Sequence, residues 1–410
     1  MTDPSDDPPP PDAAEPKSGS IAEFLARSIE STGDVVAHRW RKLKERIGWE
    51  GTPRIQPYAG YANTERAWFR GRVLTNPPTR APQEDDSWWD NLLQTYQRLE
   101  SDEVPGATVE IDFAGTRHAV VTDEEGYFHL QATVGKSPPT GSRPLWQAAA
   151  MRLVEVPRSD SAAVADASVV TAPLMTPDPA ARLGIISDID DTILHTDVLN
   201  LKAMARHTFF HNARTRLPLA GVAELYDALQ RHGGGSKDGG ASGDGGDAPP
   251  NPIFYVSSSP WNLHDLLEDF LDLNEIPRGP LMLRDFGLHL LTQRGHGHKL
   301  TRAIEIMTAF PSLPFLLFGD SGQEDAELYA EAAEARGEQV RAIFIRDVDP
   351  DEYSHRDDSV GRSIARARAA GVPMHLVSNS GQAAEVAVSM GLLPVDALAV
   401  VRKAVQDAVA

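Results

Sequence analysis

The residues with the clearest chemical potential lie in Gly184-Ile185-Ile186-Ser187-Asp188-Ile189-Asp190-Asp191-Thr192-Ile193-Leu194. An apolar run that ends abruptly in carboxylates reads as a buried strand whose carboxyl end opens onto a reaction site. Asp188 and Asp190 stand two positions apart, and both can turn toward one cation as the chain leaves the strand. Mg²⁺ favours a few carboxylate oxygens completed by substrate phosphate, so this donor set suits it. A calcium-binding loop is a poor fit: counting from Asp188, its glycine and glutamate positions hold Ile193 and Leu199.

Three more stretches place chemical side chains where an apolar strand meets a helix. After Ile253-Phe254-Tyr255-Val256 comes Ser257-Ser258-Ser259-Pro260-Trp261-Asn262, a helix start whose hydroxyls and N–H groups suit an anion. Ser257 is expected to donate to a phosphoryl oxygen. Lys299 opens a helical pattern carrying Leu300, Ala303, Ile304, Met307 and Phe310, where it can neutralise phosphate charge. Phe315-Leu316-Leu317-Phe318-Gly319-Asp320 again ends an apolar strand in a carboxylate, with Asp325 five residues on. Asp320 is the expected third metal carboxylate. Asp325 either ligates through water or orients Lys299.

Strands and helices must alternate to position these groups. Strands are expected at Leu183–Ser187, Pro252–Ser257, Leu281–Leu283, Pro314–Gly319, Arg341–Ile345 and Met374–Ser378, with helical patterns between them. That alternation predicts an α/β domain over 182–410, a Rossmann-like, doubly wound parallel sheet. Gly233–Asp247 holds eight glycines and reads as a flexible loop inserted between core elements.

The preceding residues follow another pattern. Residues 1–20 read as a disordered acidic tail and 21–56 as an amphipathic helical segment. Within 36–49, Val36, Trp40, Leu43 and Ile47 line one stripe beside Arg39, Arg41, Lys42, Lys44 and Arg46. The stripe reads either as a peripheral contact with an anionic membrane surface or as a helix docked on its own domain. From 57 to 156 the apolar period falls to two, which predicts a small β-sandwich with one helical insertion around Trp88–Leu99. Residues 157–181 read as a linker with a candidate short strand at Ser168–Val170.

Bulk composition limits the functional classes. The formal net charge is −20, which opposes nucleic-acid binding by the chain as a whole. No cysteine is present, excluding disulfides and thiol catalysis. No signal peptide or membrane-spanning run is apparent, so a cytoplasmic protein is expected, with any membrane association peripheral.

Taken together, Asp188-x-Asp190-x-Thr192, Ser257, Lys299 and Gly319-Asp320 through Asp325 resemble the four motifs of the haloacid dehalogenase superfamily. The wider wording is similar to the catalytic domain of the actin-patch-type phosphatidate phosphatases. It runs through Ser187–Ile193, Gly221-Val222-Ala223-Glu224-Leu225-Tyr226, Tyr255–Trp261, Arg284-Asp285-Phe286-Gly287 and His298-Lys299. The resemblance implies a Mg²⁺-dependent phosphatidate phosphatase working through an aspartyl-phosphate. Asp188 would be the nucleophile, Asp190 the acid and base, and Ser257, Ser258, Thr192 and Lys299 the phosphate contacts. Asp188, Asp190 through its backbone carbonyl, Asp320 and Asp325 would form the metal set. Ser258 stands where the family pattern leads one to expect Asn, which bears on substrate preference. Two alternatives share these residues: a phosphatase for a soluble phosphate ester, and a non-catalytic lipid- or protein-binding scaffold. Thr196–Arg216, with Leu199, Leu201, Met204, Phe209 and Phe210, reads either as an apolar flap over acyl chains or as ordinary helix core.

Overall fold

The computed structural model describes residues 52–75, 103–135, 144–157, 169–193, 218–234, 248–284, 297–349 and 355–408. The acidic tail, the basic stripe at 36–49, the insertion around Trp88–Leu99, the 196–216 segment and most of the glycine-rich loop lie outside the described residues.

Among the described residues, seven strands precede the first chemical motif: β1 (Arg54–Ala62), β2 (Arg66–Leu74), β3 (Thr108–Phe113), β4 (Thr116–Val121), β5 (Tyr127–Thr133), β6 (Trp146–Glu155) and β7 (Val170–Met175). Their order is β4-β3-β6-β7-β1-β2-β5 in one sheet. The expected two-sheet sandwich is therefore replaced by a single sheet, and the reason is β7. Val170–Met175, assigned from sequence to the linker, enters antiparallel to β6 and parallel to β1, joining two three-stranded halves. The sheet curls until its edge strands β4 and β5 approach each other. Phe69, Val73, Val109, Ile111, Phe128, Met151 and Leu174 fill one core of this part. Arg54–Gln56, read with the helical segment, also belong to β1; Pro57 and Gly60 obscured that strand in the sequence.

The remaining elements are β8 (Gly184–Asp188), α1 (Val222–His232), β9 (Ile253–Pro260), α2 (His264–Leu273), β10 (Leu281–Arg284), α3 (His298–Ala309), β11 (Phe315–Asp320), α4 (Asp325–Arg336), β12 (Val340–Arg346), α5 (His355–Ala369), β13 (Met374–Val377), α6 (Ser380–Ser389) and α7 (Val395–Asp407). The six strands form one sheet in the order β10-β9-β8-β11-β12-β13, parallel at every pairing. Burial on both faces explains why β8 and β11 are continuous apolar runs rather than alternating ones. Residues of α1, α2, α6 and α7 pack in one core against the sheet, and residues of α3, α4 and α5 in the other.

The chain leaves β8 in one direction to build β9 and β10, then returns to β11 and continues the other way. The order reverses between β8 and β11, and in open parallel sheets such a switch point leaves a crevice beyond the strands' carboxyl ends. Both sheets lie within one compact unit, Gly51–Ala410. Tyr58 of β1 joins one core of the parallel sheet, and Tyr61 and Met175 join the other.

Candidate active site

Strand register brings the chemical residues together. Ser187 pairs with Phe318 on β11 and Asp188 with Val256 on β9. Asp188 therefore emerges beside Ser257 on one flank and Asp320 on the other. Asp188, Ser257, Lys299, Asp320 and Asp325 are all buried.

Lys299 is the centre of charge. Its Nζ lies 2.7 Å from Asp188 Oδ1 and 2.7 Å from Asp325 Oδ1, and donates to Gln323 Oε1 at 3.2 Å. The first turn of α3 carries it there, because Ala303, Ile306 and Met307 anchor the same helix in the core. Asp325 also accepts the backbone N–H of Asp320 through Oδ2, at 3.3 Å. This closeness needs Gly319: a Cβ there would stand 2.6 Å from Asp325 Cβ. Asp320 Oδ1 in turn accepts the Gln323 N–H at 2.8 Å.

Asp190 sits on the other side of Asp188, half-buried. Its Oδ2 accepts hydrogen bonds from Ser257 Oγ at 3.0 Å and Ser259 Oγ at 3.3 Å. Ser259 was not singled out from sequence, although it lies two positions from Ser257 on the same strand and so shares its face. Ser258 alternates to the exposed side, away from that pair. Thr192 is buried and donates to Asp188 Oδ2 at 3.4 Å. Between them Asp191 takes a left-handed backbone, φ 54°, which turns the chain sharply away from β8. Arg346 Nη1 donates to the Asp191 carbonyl at 2.9 Å. Gln323 and Arg346 also escaped the sequence reading, since neither residue type at a loop or strand end carries a distinctive signal.

Burial dominates the electrostatics. It raises the Asp188 carboxyl well above the usual range; Lys299 opposes the shift, while Asp325, Asp320 and Asp190 add to it. Asp320 is pushed up to about 8 by burial and then by Asp325, against the pull of Lys299 and the Gln323 N–H. Burial would lower the Lys299 ammonium, but Asp188 and Asp325 outweigh it and hold the group above its ordinary value. Three buried carboxylates thus share one lysine, an imbalance that favours a further positive charge.

A divalent cation fits this imbalance. Asp188, Asp320 and Asp325 each offer an oxygen, and these oxygens lie within 4.8 Å of one another. Asp320 Oδ2 is buried with no hydrogen-bond partner among the described residues. All the donors are hard oxygens, the kind Mg²⁺ and Ca²⁺ take. Asp190, expected to ligate through its backbone carbonyl, contributes no carboxylate to this group of three.

A parallel sheet that gathers carboxylates and one lysine at its switch point has the makings of an α/β enzyme catalytic domain. Residues 183–347 match the family described as "Phosphatidate phosphatase APP1, catalytic domain". Phosphatidate phosphatase APP1 of Saccharomyces cerevisiae is 32% identical over 168 residues, covering 40% of this chain and 26% of the yeast protein. An uncharacterised Schizosaccharomyces pombe protein is 25% identical over 169 residues, covering 40% of this chain and 25% of its own length. The chain thus spans about a quarter of the length of these curated relatives. Among solved structures, a carbohydrate acetylesterase from Xanthomonas citri aligns over 75% of this chain and 72% of its own, with 12% identity and a TM-score of 0.21. Likeness at that level carries no argument. Among the described residues, no helix is long and apolar enough to cross a membrane.

Proposed function

We propose that this chain is a Mg²⁺-dependent phosphatidate phosphatase of haloacid dehalogenase type, releasing diacylglycerol and phosphate through an aspartyl-phosphate. The doubly wound assignment is supported by the strand order and by helices on both faces of the sheet. The observation that carries the chemistry is the placing of Lys299 Nζ 2.7 Å from Asp188 Oδ1, at the switch point and beside two further carboxylates.

In this reading an Asp188 oxygen attacks phosphorus and forms the acyl-phosphate bond as the ester oxygen leaves. Asp190 gives its proton to the departing alkoxide. It then takes a proton from the water that attacks the phosphoryl group, breaking the bond to Asp188 and freeing phosphate. Ser257 and Ser259 fix Asp190 by its Oδ2, leaving Oδ1 to carry that proton. Lys299 offsets charge on the transferring group while Asp325 keeps it aimed. Asp188, Asp320 and Asp325 would hold Mg²⁺, which supplies shielding of the phosphate charge from the nucleophile.

The test compares release of phosphate from phosphatidate in mixed micelles with release from glycerol phosphate, each with Mg²⁺ and with EDTA. Preference for the micellar lipid, abolished by EDTA, is expected. Equal or better turnover of glycerol phosphate would replace the lipid with a soluble ester, and no turnover of either would leave a scaffold.

A further inference from the structure

One of the places where the curled sheet meets the chemical part of the molecule lies just beyond the serines of β9. Tyr58 of β1 and Arg70 of β2 are cross-strand partners, so their side chains share a face of the sheet. Both meet Trp261, the second residue beyond Ser259. The Tyr58 and Trp261 rings stack with centroids 5.2 Å apart and planes 13° apart. The Arg70 guanidinium lies over the same indole, 5.1 Å from its centroid. Tyr58 also stacks on His264 at 4.0 Å. Two residues earlier on the same face of β1, Gln56 Nε2 donates to Asp265 Oδ1.

Tyr58, Trp261 and His264 are each at least 94% buried. The contacts concentrate on the short 3-10 turn Trp261–Leu263 and the start of α2. This stretch directly follows the end of β9, where Ser257 and Ser259 hold Asp190. A second feature strengthens the link. Tyr58 and Tyr61 lie an odd number of positions apart, so a regular strand would turn them to opposite faces. An irregularity in the β1–β2 register between them allows both to face the parallel sheet, where Tyr61 packs edge-on against Phe254 at 5.5 Å. Both ends of β9 are thereby braced from outside its own sheet.

We propose that β1 and β2 form a clamp on the carboxyl end of β9, with Tyr58 and Arg70 as positioning residues that hold Ser257 and Ser259 against Asp190. The inference rests on the phosphatase reading above for its kinetic consequence, though not for its structural one. Neither side chain touches the reacting atoms. Their effect is to limit the excursions of a strand end whose hydroxyls fix the acid, and misplacement of such groups by about 1 Å costs rate steeply.

Hydrogen exchange of the full chain in Mg²⁺ tests the clamp without reference to activity. In Tyr58→Ala, exchange over 257–264 is expected to rise about tenfold, while peptides from β11 and α4 keep their protection. Turnover of phosphatidate should fall about tenfold in kcat with little change in KM, because the acid rather than lipid binding is misplaced. Tyr58→Phe, which keeps the ring, should restore both. Should Tyr58→Ala fail to fold, Arg70→Gln removes the cation over the indole while leaving the Tyr58 ring in place, and its exchange over 257–264 is read in the same way. Unchanged exchange over 257–264, or a Tyr58→Phe variant as impaired as Tyr58→Ala, overturns the proposal. Absence of phosphatase activity in the unsubstituted chain would remove the function proposed above and leave the exchange result to decide the clamp.

Discussion

Asp325 holds Lys299 through one carboxylate oxygen, at 2.7 Å, and the backbone N–H of Asp320 through the other, at 3.3 Å. One side chain on the first turn of α4 thus ties the lysine from α3 to the end of β11. Removing it should disturb the site and the fold together. Asp325→Ala is expected to lower kcat by at least about a hundredfold. Leaving Lys299 one carboxylate short in a buried place should cost about 3 kcal/mol in urea unfolding. A variant with wild-type stability and turnover would show that the tie does nothing.

Asp188→Asn conserves shape while removing the nucleophilic oxygen. Turnover of phosphatidate should drop by about a thousandfold or more. Because burial already disfavours the Asp188 carboxylate, the neutral amide should keep the fold intact. Circular dichroism melting with a phosphate-release assay checks both halves, and retained activity would remove Asp188 from its assigned role.

Cation binding should be visible as stability. With three buried carboxylates and one lysine, millimolar Mg²⁺ is expected to raise Tm, and EDTA to reverse it. At about pH 9, above the value of about 8 to which Asp320 is pushed, Asp320→Asn removes one donor and one repelling charge, so it should raise Tm in EDTA while shrinking the Mg²⁺-induced gain. A gain as large as that of the unsubstituted chain would place the cation elsewhere.

Gly319→Ala tests the close approach behind that arrangement. The added methyl would meet Asp325 Cβ at 2.6 Å and Asp325 Oδ2 at 2.8 Å, so α4 must shift or the strand must bend. A loss of about 1–3 kcal/mol is expected, with turnover falling because Asp325 moves relative to Lys299. Chemical denaturation and kinetics of the same preparation measure the two effects.

His375 supplies a pH dependence away from the site. Its imidazole stands 5.8 Å from the Phe344 ring, and burial lowers its pKa. A depressed histidine stabilises the fold above its unfolded pKa of about 6.5; that contribution is lost as pH falls through the lower folded value. Tm should therefore decline more steeply below about pH 6.5 in the unsubstituted chain than in His375→Gln. Parallel slopes for the two proteins would contradict the shift.

That Asp188, Asp320 and Lys299 would meet at the ends of their elements was legible from the chain alone. Each follows or opens an apolar element, and an apolar run that stops at a charge marks a strand or helix end by local physics. The alternation of strands and helices beyond Arg182 was legible for the same reason, because burial on both faces writes continuous apolar strands. Tertiary structure was needed wherever a partner distant in sequence decided the outcome. Val170–Met175 joins two half-sheets into one because of strands on either side of it, which its six residues cannot announce. Ser259 rather than Ser258 reaches Asp190 because strand alternation selects it. Tyr58 and Arg70 meet Trp261 only after two sheets have packed. Local patterns set where each element ends; the register between elements, which depends on the whole fold, set which side chains meet there.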